Sequence, residues 1–415
     1  MIEVDLLVTN IGELCRMGEG TGPLGGSAQG NVDAIPRAAL AVRRGQIVAA
    51  GPEAAILGAY QAHETYSAEG GVVLPGWVDA HTHLLFATTR ENEFAMRIEG
   101  KSYQEIAAAG GGIHSSVRHF RESDDASILR RSRRYLKQAL ALGTTTIEIK
   151  SGYGLNEEQE LRALDLIQKL KEETPQEVVA TYLGAHEIPK DVQREAFIED
   201  ILDTLEKVAA GRKAEFCDVF CEEGVFTPEE SERILVKARE VGLKLKLHAD
   251  EFGDTGGSKL AVKLQAVSAD HLHGTPPERA KQLAAAGVVG VLLPGTSFFL
   301  NLDHKAPARS FVNQGLPIAV ASDFNPGSSM SQSMPLMVSL ACVQLRLTPA
   351  EALVAATVNG AAAIGREGSK GRLHPGFDAD FQVLDLDNHQ QIPYHYGVSH
   401  VREVFVGGEP ISAQS

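Results

Sequence analysis

Two histidines separated by one residue, His81 and His83, stand at the end of the apolar run WVDAHTH. Residues two apart on a strand point to the same face, so both imidazoles are expected to enter one space. Imidazole nitrogens are common ligands of transition metals. Because histidine pairs also occur on many protein surfaces, the pair alone indicates little. Its meaning depends on which other side chains the fold brings beside it.

Three more side chains of the kind that binds metals lie at the ends of other apolar runs: His248 in LKLKLHADE, His271 in AVSADHLH and Asp323 in PIAVASDFN. Two or three imidazoles with one carboxylate suit Zn²⁺ or Fe²⁺ and leave a coordination position for a water. The metal lowers the pKa of that water toward neutrality. The pattern therefore predicts a metal site that activates water. The alternative is a set of satisfied interior histidines with no metal.

The elements that must position these residues form a repeating pattern. Between Trp77 and about Ile364, short runs rich in Val, Ile and Leu alternate with longer segments of helical period, which is typical of repeated βα units. The eight runs span residues 77–83, 144–150, 178–186, 214–223, 243–251, 266–273, 288–294 and 317–325. Eight strands predict a closed (β/α)8 barrel, and such barrels carry their sites at the carboxyl ends of the strands.

An open doubly wound sheet is the alternative fold for alternating strands and helices. It requires a glycine-rich dinucleotide turn after the first strand, and no GxGxxG occurs there. Helix-start signals agree with the barrel periodicity, because Ser or Thr stands three residues before Glu at several expected helix starts. These pairs are Ser102/Glu105, Thr227/Glu230, Thr275/Glu278 and Thr348/Glu351.

Both ends of the chain have a different texture, with short strands and tight turns. Arg44 and Gly45 mark a hairpin-like reversal, and strand-like runs return after about residue 371. Neither end alone has enough strands to bury a face. We therefore expect residues 1–70 and 371–415 to form one small discontinuous β-sandwich domain beside a barrel domain of residues 71–370.

Composition excludes several classes of protein. The 415 residues are 43% hydrophobic and 22% charged, which is typical of a globular chain, and their net charge of −15 disfavours binding to nucleic acid or membranes. The N-terminal MIEVDLLVTN lacks a basic leader, and no apolar run approaches the ~20 residues of a membrane span. The four scattered cysteines indicate reduced thiols. We expect a cytoplasmic protein, as a homodimer.

Several segments resemble a known superfamily. LPGWVDAHTHL, LHADE, ADHLHG and ASDFNPG are similar to the amidohydrolases, which hydrolyse C–N bonds with a metal held in a barrel. DAHTHLLFATTRENEFAMRIEGKSYQEIAAAGGGI, IEIKSGYGL, LGAHEIP and SDFNPGSS resemble more closely the branch that acts in histidine degradation. The resemblance covers essentially the whole chain. It implies hydrolysis of 4-imidazolone-5-propanoate to N-formimidoyl-L-glutamate, by a metal-activated water attacking the ring carbonyl carbon.

The resemblance also implies roles for the clustered residues. The metal ligands would be His81, His83, His248 and Asp323. His271 would stand beside the water instead of on the metal, and it or Asp323 would take the proton of the water. Many relatives with two metals carry a carboxylated lysine on the fourth strand, but this chain reads CEEG there. One divalent metal per chain, Zn²⁺ or Fe²⁺, is therefore expected.

Further residues are placed at the substrate by the same resemblance: Arg90, Tyr153, His186, Glu251, Asn325, Gly327 and Ser328. The guanidinium fork of Arg90 suits a carboxylate, here the propionate of the substrate. Glu251 follows His248 by three residues and is expected to serve the ring nitrogen as a catalytic group. Whether His273, Lys150, Glu222 or Glu223 contributes stays open.

Two other functions compete with this interpretation. One is a deaminase or hydantoinase-like hydrolase of another cyclic ureide or a nucleobase, but a neutral base offers Arg90 no carboxylate. The other is an inactive amidohydrolase-like scaffold protein. A scaffold has no reason to keep a costly polar cluster at a barrel mouth, so the intact set of four ligand-type residues argues against it.

Overall fold

The computed structural model describes residues 1–101, 105–106 and 109–411, in which the strands form two separate sheets. The chain begins in the first sheet, with strands β1 Ile2–Cys15, β2 Ala34–Arg43, β3 Gln46–Pro52, β4 Tyr60–Ser67 and β5 Val72–Pro75. It then builds the barrel from β6 Trp77–Asp79, β7 Thr144–Lys150, β8 Glu177–Ala185, β9 Phe216–Cys221, β10 Lys244–Ala249, β11 Ser268–His271, β12 Val289–Leu292 and β13 Ile318–Val320. It returns to the first sheet with β14 Phe381–Leu384, β15 Val401–Val406 and β16 Glu409–Pro410.

The helices of the described residues lie mainly between the barrel strands. In chain order they are α1 Glu53–Ala59, α2 Glu91–Ile98, α3 Ile113–Glu122, α4 Asp125–Ala141, α5 Glu157–Glu173, α6 Arg194–Ala210, α7 Pro228–Glu240, α8 Gly257–Leu264, α9 Arg279–Ala285, α10 Pro294–Phe299, α11 Ala308–Asn313, α12 Met334–Leu345, α13 Pro349–Ala355, α14 Val358–Ala363 and α15 Gln391–Tyr394. A 3₁₀ helix spans Gly26–Gly30. None of the described helices is long and apolar enough to cross a membrane.

The barrel sheet confirms the predicted architecture. Strands β6 to β13 pair in consecutive order, and every pairing is parallel. The ring nearly closes through a bridge between Thr82 and Phe324, where His83 N donates to the Phe324 carbonyl at 3.0 Å. Seven of the eight predicted runs contain their strand in full, and β8 begins one residue before its run. The residues just past β6 and β13 therefore meet at the closing seam.

Strand β7 shows why the barrel interior holds polar groups. All seven of its residues are buried, as expected for a parallel strand covered on both faces. Because side chains alternate, Thr146, Glu148 and Lys150 share one face and the apolar Ile147 and Ile149 share the other. The apolar face packs into the layer between strands and helices, which leaves the polar face for the barrel interior.

The terminal sheet joins both ends of the chain, as expected. Its order is β16-β15-β14-β5-β1-β2-β3, and β4 pairs with β1 as well. Strand β14 pairs antiparallel with β5, which brings the last part of the chain beside the first. The predicted reversal at Arg44 and Gly45 joins β2 to β3, and both residues have a positive φ (52° and 74°) that a tight hairpin turn requires.

The helix starts test the predicted capping boxes. Thr227 caps α7 and Thr348 caps α13, each with its reciprocal glutamate in place, so both predictions are confirmed. The box expected at Thr275 is wrong, because the Thr275 hydroxyl donates instead to Asp250 Oδ2 at 2.7 Å and α9 begins only after Glu278. The fourth box, at Ser102, lies outside the described residues.

Candidate active site

Four predicted ligand side chains converge at the carboxyl end of the barrel. His81 Nε2 and His83 Nε2 each lie 3.6 Å from Asp323 Oδ1. His248 Nε2 lies 3.3 Å from His83 Nε2. All four residues are buried. The closing seam between β6 and β13 supplies three of them and β10 supplies the fourth, so strands far apart in sequence build one cluster.

This donor set fits a divalent metal ion. His81 Nε2 is buried and has no hydrogen-bond partner, and an unpaired buried nitrogen is costly. Burial lowers the pKa of His81 and of His83 well below the usual range, and the neighbouring charge of Lys150 adds to the effect at both. Both imidazoles are therefore neutral and present a lone pair, as a metal ligand must. Nitrogen and carboxylate ligands in this number are those of Zn²⁺ and Fe²⁺ sites.

Two buried carboxylates stand behind the histidines and fix their orientation. Asp270 Oδ2 lies 2.6 Å from His81 Nδ1, and Asp218 Oδ2 lies 2.9 Å from His248 Nδ1. Asp218 Oδ1 also accepts the backbone N–H of His248 at 3.0 Å. The hydrogen bond from His81 Nδ1 to Asp270 turns Nε2 of that ring toward the cluster, an arrangement that raises ligand basicity. His248 Nδ1 lies at ion-pair distance from Asp218 without a hydrogen bond. The sequence analysis missed both aspartates, although Asp270 lies within the quoted ADHLHG.

Asp323 is held by a threonine that the sequence analysis also missed. The Thr296 hydroxyl donates to Asp323 Oδ2 at 2.6 Å, which leaves Oδ1 facing His81 and His83. Burial raises the pKa of Asp323 to about 6, and the Thr296 hydrogen bond partly opposes this rise. A positive charge in the cluster would favour the ionised carboxylate.

His271 and Glu251 form a pair beside the cluster. The His271 ring lies 5.2 Å from the His248 ring, and its Nδ1 lies 3.6 Å from Glu251 Oε1. Burial and the neighbouring His248 lower the pKa of His271 well below its usual range. Burial and the charge of Asp323 raise the pKa of Glu251 well above its usual range. The pair thus combines an imidazole whose pKa is lowered with a carboxyl group whose pKa is raised.

The backbone is left-handed at two of these strand ends, where φ is 78° at His271 and 50° at Asp323. Strict alternation along β11 would place Asp270 and His271 on opposite faces. The change of direction at His271 allows both to reach the barrel mouth. Such conformations cost roughly 1–3 kcal/mol in a non-glycine residue and cluster at functional sites.

Two candidate ligand sets share His81. The ligand atoms of His81, His83 and Asp323 lie within 4.8 Å of one another, and so do those of His81, His248 and His271. Whether His271 serves a water or the metal therefore stays a prediction.

Arg90 lies at one wall of the site, but its guanidinium fork is already paired. Glu93 accepts from Arg90 Nε at 2.9 Å and from Nη2 at 2.5 Å. The Nη1 edge packs against Gly327 so closely that a Cβ there would collide with it. Neither of the two bonds to Glu93 uses Nη1. Glu93 was not identified from the sequence, although it follows Arg90 by three residues at a helix start.

The turn after Asp323 is satisfied within itself. The backbone N–H groups of Gly327 and Ser328 both donate to Asn325 Oδ1 at 2.8 Å, and Asn325 Nδ2 donates to the Asp323 carbonyl at 2.6 Å. These N–H groups therefore already have an acceptor. The turn therefore contributes its shape to the wall of the site. It also contributes the Ser328 hydroxyl, which lies 3.4 Å from Asp323 Oδ2.

Tyr153 and His186 line the opposite side of the cluster. His186 stacks on His83 with 4.9 Å between ring centroids, and its Nδ1 lies 2.9 Å from the Gly152 carbonyl, so it donates there and leaves Nε2 as an acceptor. Burial lowers the pKa of His186 to about 3. The Tyr153 ring lies 5.7 Å from His186 and 6.2 Å from His83.

The residues left open by the sequence analysis fall into place. His273 Nε2 lies 2.8 Å from the Ser297 hydroxyl, outside both ligand sets. Glu222 accepts the backbone N–H groups of Glu251 and Phe252 at 2.8 and 3.1 Å, so it holds the Glu251 loop. Glu223 is exposed. Lys150 is buried in the barrel interior behind the ligands.

Comparison with known proteins identifies the sequence family. Residues 72–411 match the model of the amidohydrolase family. An imidazolonepropionase of Syntrophobacter fumaroxidans is 48% identical over 395 residues, which is 94% of this chain and 93% of that protein. Imidazolonepropionases of Geobacillus thermodenitrificans and Herpetosiphon aurantiacus are 43% and 44% identical, covering 94% and 99% of this chain and 94% and 98% of their own lengths.

Solved structures share the fold at much lower identity. An adenosine deaminase from Xanthomonas campestris with bound zinc superposes with a TM-score of 0.72 at 18% identity, over 98% of this chain and 93% of that one. The ochratoxinase of A. niger gives a TM-score of 0.71 at 18% identity, over 99% and 96% of the two chains. These similarities support the barrel with its terminal sheet.

Proposed function

This chain belongs to the amidohydrolase family and, within it, to the imidazolonepropionases, and on that premise we propose how its barrel mouth opens an imidazolone ring. The reaction is the hydrolysis of 4-imidazolone-5-propanoate to N-formimidoyl-L-glutamate. Water adds to the ring carbonyl carbon, the bond from that carbon to the adjacent ring nitrogen breaks, and the nitrogen gains a proton. The new carboxylate carries the oxygen of the water.

One structural observation carries the proposal: a ligand cluster and an arginine share the same barrel mouth. Ser328, whose hydroxyl lies 3.4 Å from Asp323 Oδ2, directly follows Gly327, which packs against Arg90 Nη1. A substrate with a reactive carbonyl and a remote carboxylate matches this pairing. A neutral nucleobase or cyclic ureide has no group for Arg90, and the close relatives do not favour those substrates.

We assign His81, His83, His248 and Asp323 as ligands of one divalent ion. When bound, that ion lowers the pKa of a water and polarises the substrate carbonyl. His271, neutral and unprotonated, accepts the proton of the water, with Asp323 as the alternative acceptor. Glu251 gives its proton to the ring nitrogen, which makes the nitrogen a viable leaving group. His271 Nδ1 and Glu251 Oε1 lie 3.6 Å apart, beyond direct hydrogen-bond distance, so return of the proton to Glu251 requires their closer approach or an intervening water.

The remaining residues position the substrate. Arg90 contacts the propionate through Nη1 while Glu93 holds the other edge of the guanidinium. Tyr153 stands beside it, and the small size of Gly327 lets Arg90 approach. His186 offers Nε2 to a ring N–H, and the Asn325 turn with Ser328 forms the wall next to Asp323. Fixing a remote carboxylate orients the ring, so part of the rate comes from positioning.

We also propose features of the whole molecule. The ion is Zn²⁺ or Fe²⁺, because both accept three imidazoles and one carboxylate. The chain works in the cytoplasm as a homodimer, the commonest symmetric assembly. Residues 1–70 and 371–415 form one small domain beside the barrel of residues 71–370. Strand β5, just past residue 70, pairs with β14 in the terminal sheet.

The test is to incubate the metal-loaded protein with imidazolone propionate. We expect loss of the ring absorbance, formation of N-formimidoyl-L-glutamate by mass spectrometry, and inhibition by a chelator. A matched analogue with a propyl group in place of the propionate should react poorly. Equal turnover of the acid and the neutral analogue would instead favour a hydrolase of neutral cyclic ureides, and no turnover of any ring substrate by metal-loaded protein would favour the scaffold alternative.

A further inference from the structure

A buried group of charges lies inside the barrel, directly behind the metal ligands. Lys150 and Lys246 face Glu148, Asp218 and Asp270, and all five side chains are fully buried. Ion pairs so deep in a protein gain little net stability over apolar packing, because removing the charges from water is costly. Their presence in a barrel interior therefore asks for a role other than stability.

Lys150 contacts both carboxylates that orient the histidine ligands. Its Nζ lies 2.7 Å from Asp218 Oδ2, the oxygen that faces His248 Nδ1. It also lies 3.8 Å from Asp270 Oδ2, the oxygen that faces His81 Nδ1. One ammonium group thus connects two carboxylate–histidine pairs on different strands. Glu148, at 2.9 Å, anchors Lys150 from its own strand.

The charge on Lys150 is maintained at this position. Burial alone would lower its pKa, but the charges of Asp218 and Glu148 overcome that effect and raise the pKa above its usual range. Lys246 is placed differently. It lies 3.7 Å from Asp270 Oδ2, and its other contacts are Glu148 and the carbonyls of Ala80 and Ala363. Of the two lysines, Lys150 is the one that contacts Asp218.

We propose that Lys150 is a positioning residue for the metal: it fixes Asp218 and Asp270 so that His248 and His81 both turn Nε2 toward the ion. Without the ammonium, Asp218 and Asp270 repel each other, and each loses a contact that holds the oxygen facing its histidine. The rings then lose their common orientation, and metal affinity falls. This inference deepens the proposed function, since it rests on the ligand set assigned there.

The test measures metal affinity by chelator competition with Zn²⁺ in the absence of substrate. Lys150→Met removes the ammonium at similar volume. We expect affinity to fall by about 10–100-fold, the usual effect of losing a group that orients a ligand. We also expect the visible spectrum of the Co²⁺-loaded protein to change, because that spectrum reports ligand geometry.

Lys370→Met is the matched control. Lys370 is also buried and faces three carboxylates, Asp380 at 2.6 Å, Asp378 at 3.0 Å and Glu177 at 3.3 Å, none of which is a ligand or orients one. The Lys370→Met variant should have a lower melting temperature than the native protein but the same Zn²⁺ affinity and Co²⁺ spectrum.

Three outcomes overturn the inference. They are Zn²⁺ binding by Lys150→Met within twofold of the native protein, an unchanged Co²⁺ spectrum, and a loss of affinity no greater than that of the control. If Lys150→Met does not fold, Lys150→Gln keeps N–H donors without the charge, and retention of full affinity there overturns the inference equally. Native protein that binds no Zn²⁺ contradicts the proposed function instead, so the two failures are distinguishable.

Discussion

Two parts of the molecule gather residue types that bind metals, and they differ in what those residues already contact. At the barrel mouth the ligand atoms of His81, His83 and Asp323 lie within 4.8 Å of one another. In the terminal region Glu13, Cys15 and His389 meet the same distance criterion. By distance alone the two clusters are equivalent candidates.

The terminal cluster is satisfied by its own members. Glu13 Oε1 accepts the backbone N–H of His389 at 2.7 Å and lies 2.8 Å from His389 Nδ1. Burial, together with Glu13, raises the pKa of the Cys15 thiol well above its usual range, which disfavours the thiolate that binds metals. At the barrel mouth, by contrast, His81 Nε2 has no partner. A metal site is thus marked by unpaired lone pairs with carboxylates behind them, and proximity alone does not mark one.

The largest expected effect is the loss of a barrel ligand. His83→Ala removes one of the four donors, so metal content and turnover should fall together. Turnover should fall by more than the ~10²–10⁴-fold typical of a lost general base, because the activated water is lost as well. Elemental analysis and the ring-absorbance assay on the same sample measure both. A variant that keeps its metal would remove His83 from the ligand set.

The next effect separates ligands from catalytic groups within the barrel mouth. His271→Ala should leave metal content near normal while turnover falls ~10²–10⁴-fold, because a proton acceptor is lost but no ligand is. The measurement is the ratio of metal to protein beside kcat. Stoichiometric loss of metal would make His271 a ligand and favour the three-histidine set with His81 and His248.

A smaller effect is expected at the wall that holds the carboxylate. Arg90→Ala should lower kcat/KM for imidazolone propionate by an amount equivalent to roughly 2–5 kcal/mol, mostly through KM, since one partner of a charged pair is removed. Arg90→Lys should recover only part, because an ammonium cannot hold Glu93 through two parallel bonds. The kcat/KM for the neutral propyl analogue should be almost insensitive to both changes. Equal losses of kcat/KM for the two substrates would show that Arg90 does not bind the propionate.

The smallest effect is expected in the terminal cluster. His389→Ala should leave metal content and kcat as in the native protein and should lower stability by about 0.5–1.5 kcal/mol, the usual value of a lost hydrogen bond. Thermal unfolding and elemental analysis measure the two quantities. Loss of a metal ion from this variant would show that a satisfied cluster still binds metal, and the distinction between the two regions would then fail.

The sequence predicted most of the barrel because each strand carries its own local signal. Runs such as TTTIEIK are apolar on one face, bounded by helical segments, and coincide with β7. The terminal sheet was predicted from texture, but the placement of β5 in it was not. Val72–Pro75 is adjacent in sequence to the first barrel strand, and only its pairing with β14, about 300 residues later, assigns it.

The sequence predicted those site residues whose type and position in a strand-like run indicate their chemistry. His248 and Asp323 are recognisable because they lie at or just past the end of a strand, whereas Asp218, Asp270 and Thr296 act through contacts with residues distant in sequence. The pairing of Asp270 with His81 spans 189 residues, and that of Thr296 with Asp323 depends on the start of α10. No local sequence feature distinguishes such residues from ordinary buried polar groups, because the register of the barrel strands determines which side chains they contact.

Titrating metal into the metal-free protein tests whether one ion in the barrel mouth supports opening of the imidazolone ring. Zn²⁺ or Fe²⁺ is added stepwise, and the initial rate of ring-absorbance loss with imidazolone propionate is recorded at each step. We predict no activity without metal, a linear rise of the initial rate with added metal, and a plateau at one equivalent per chain. Activity without metal, or a plateau only at two equivalents, would contradict this prediction.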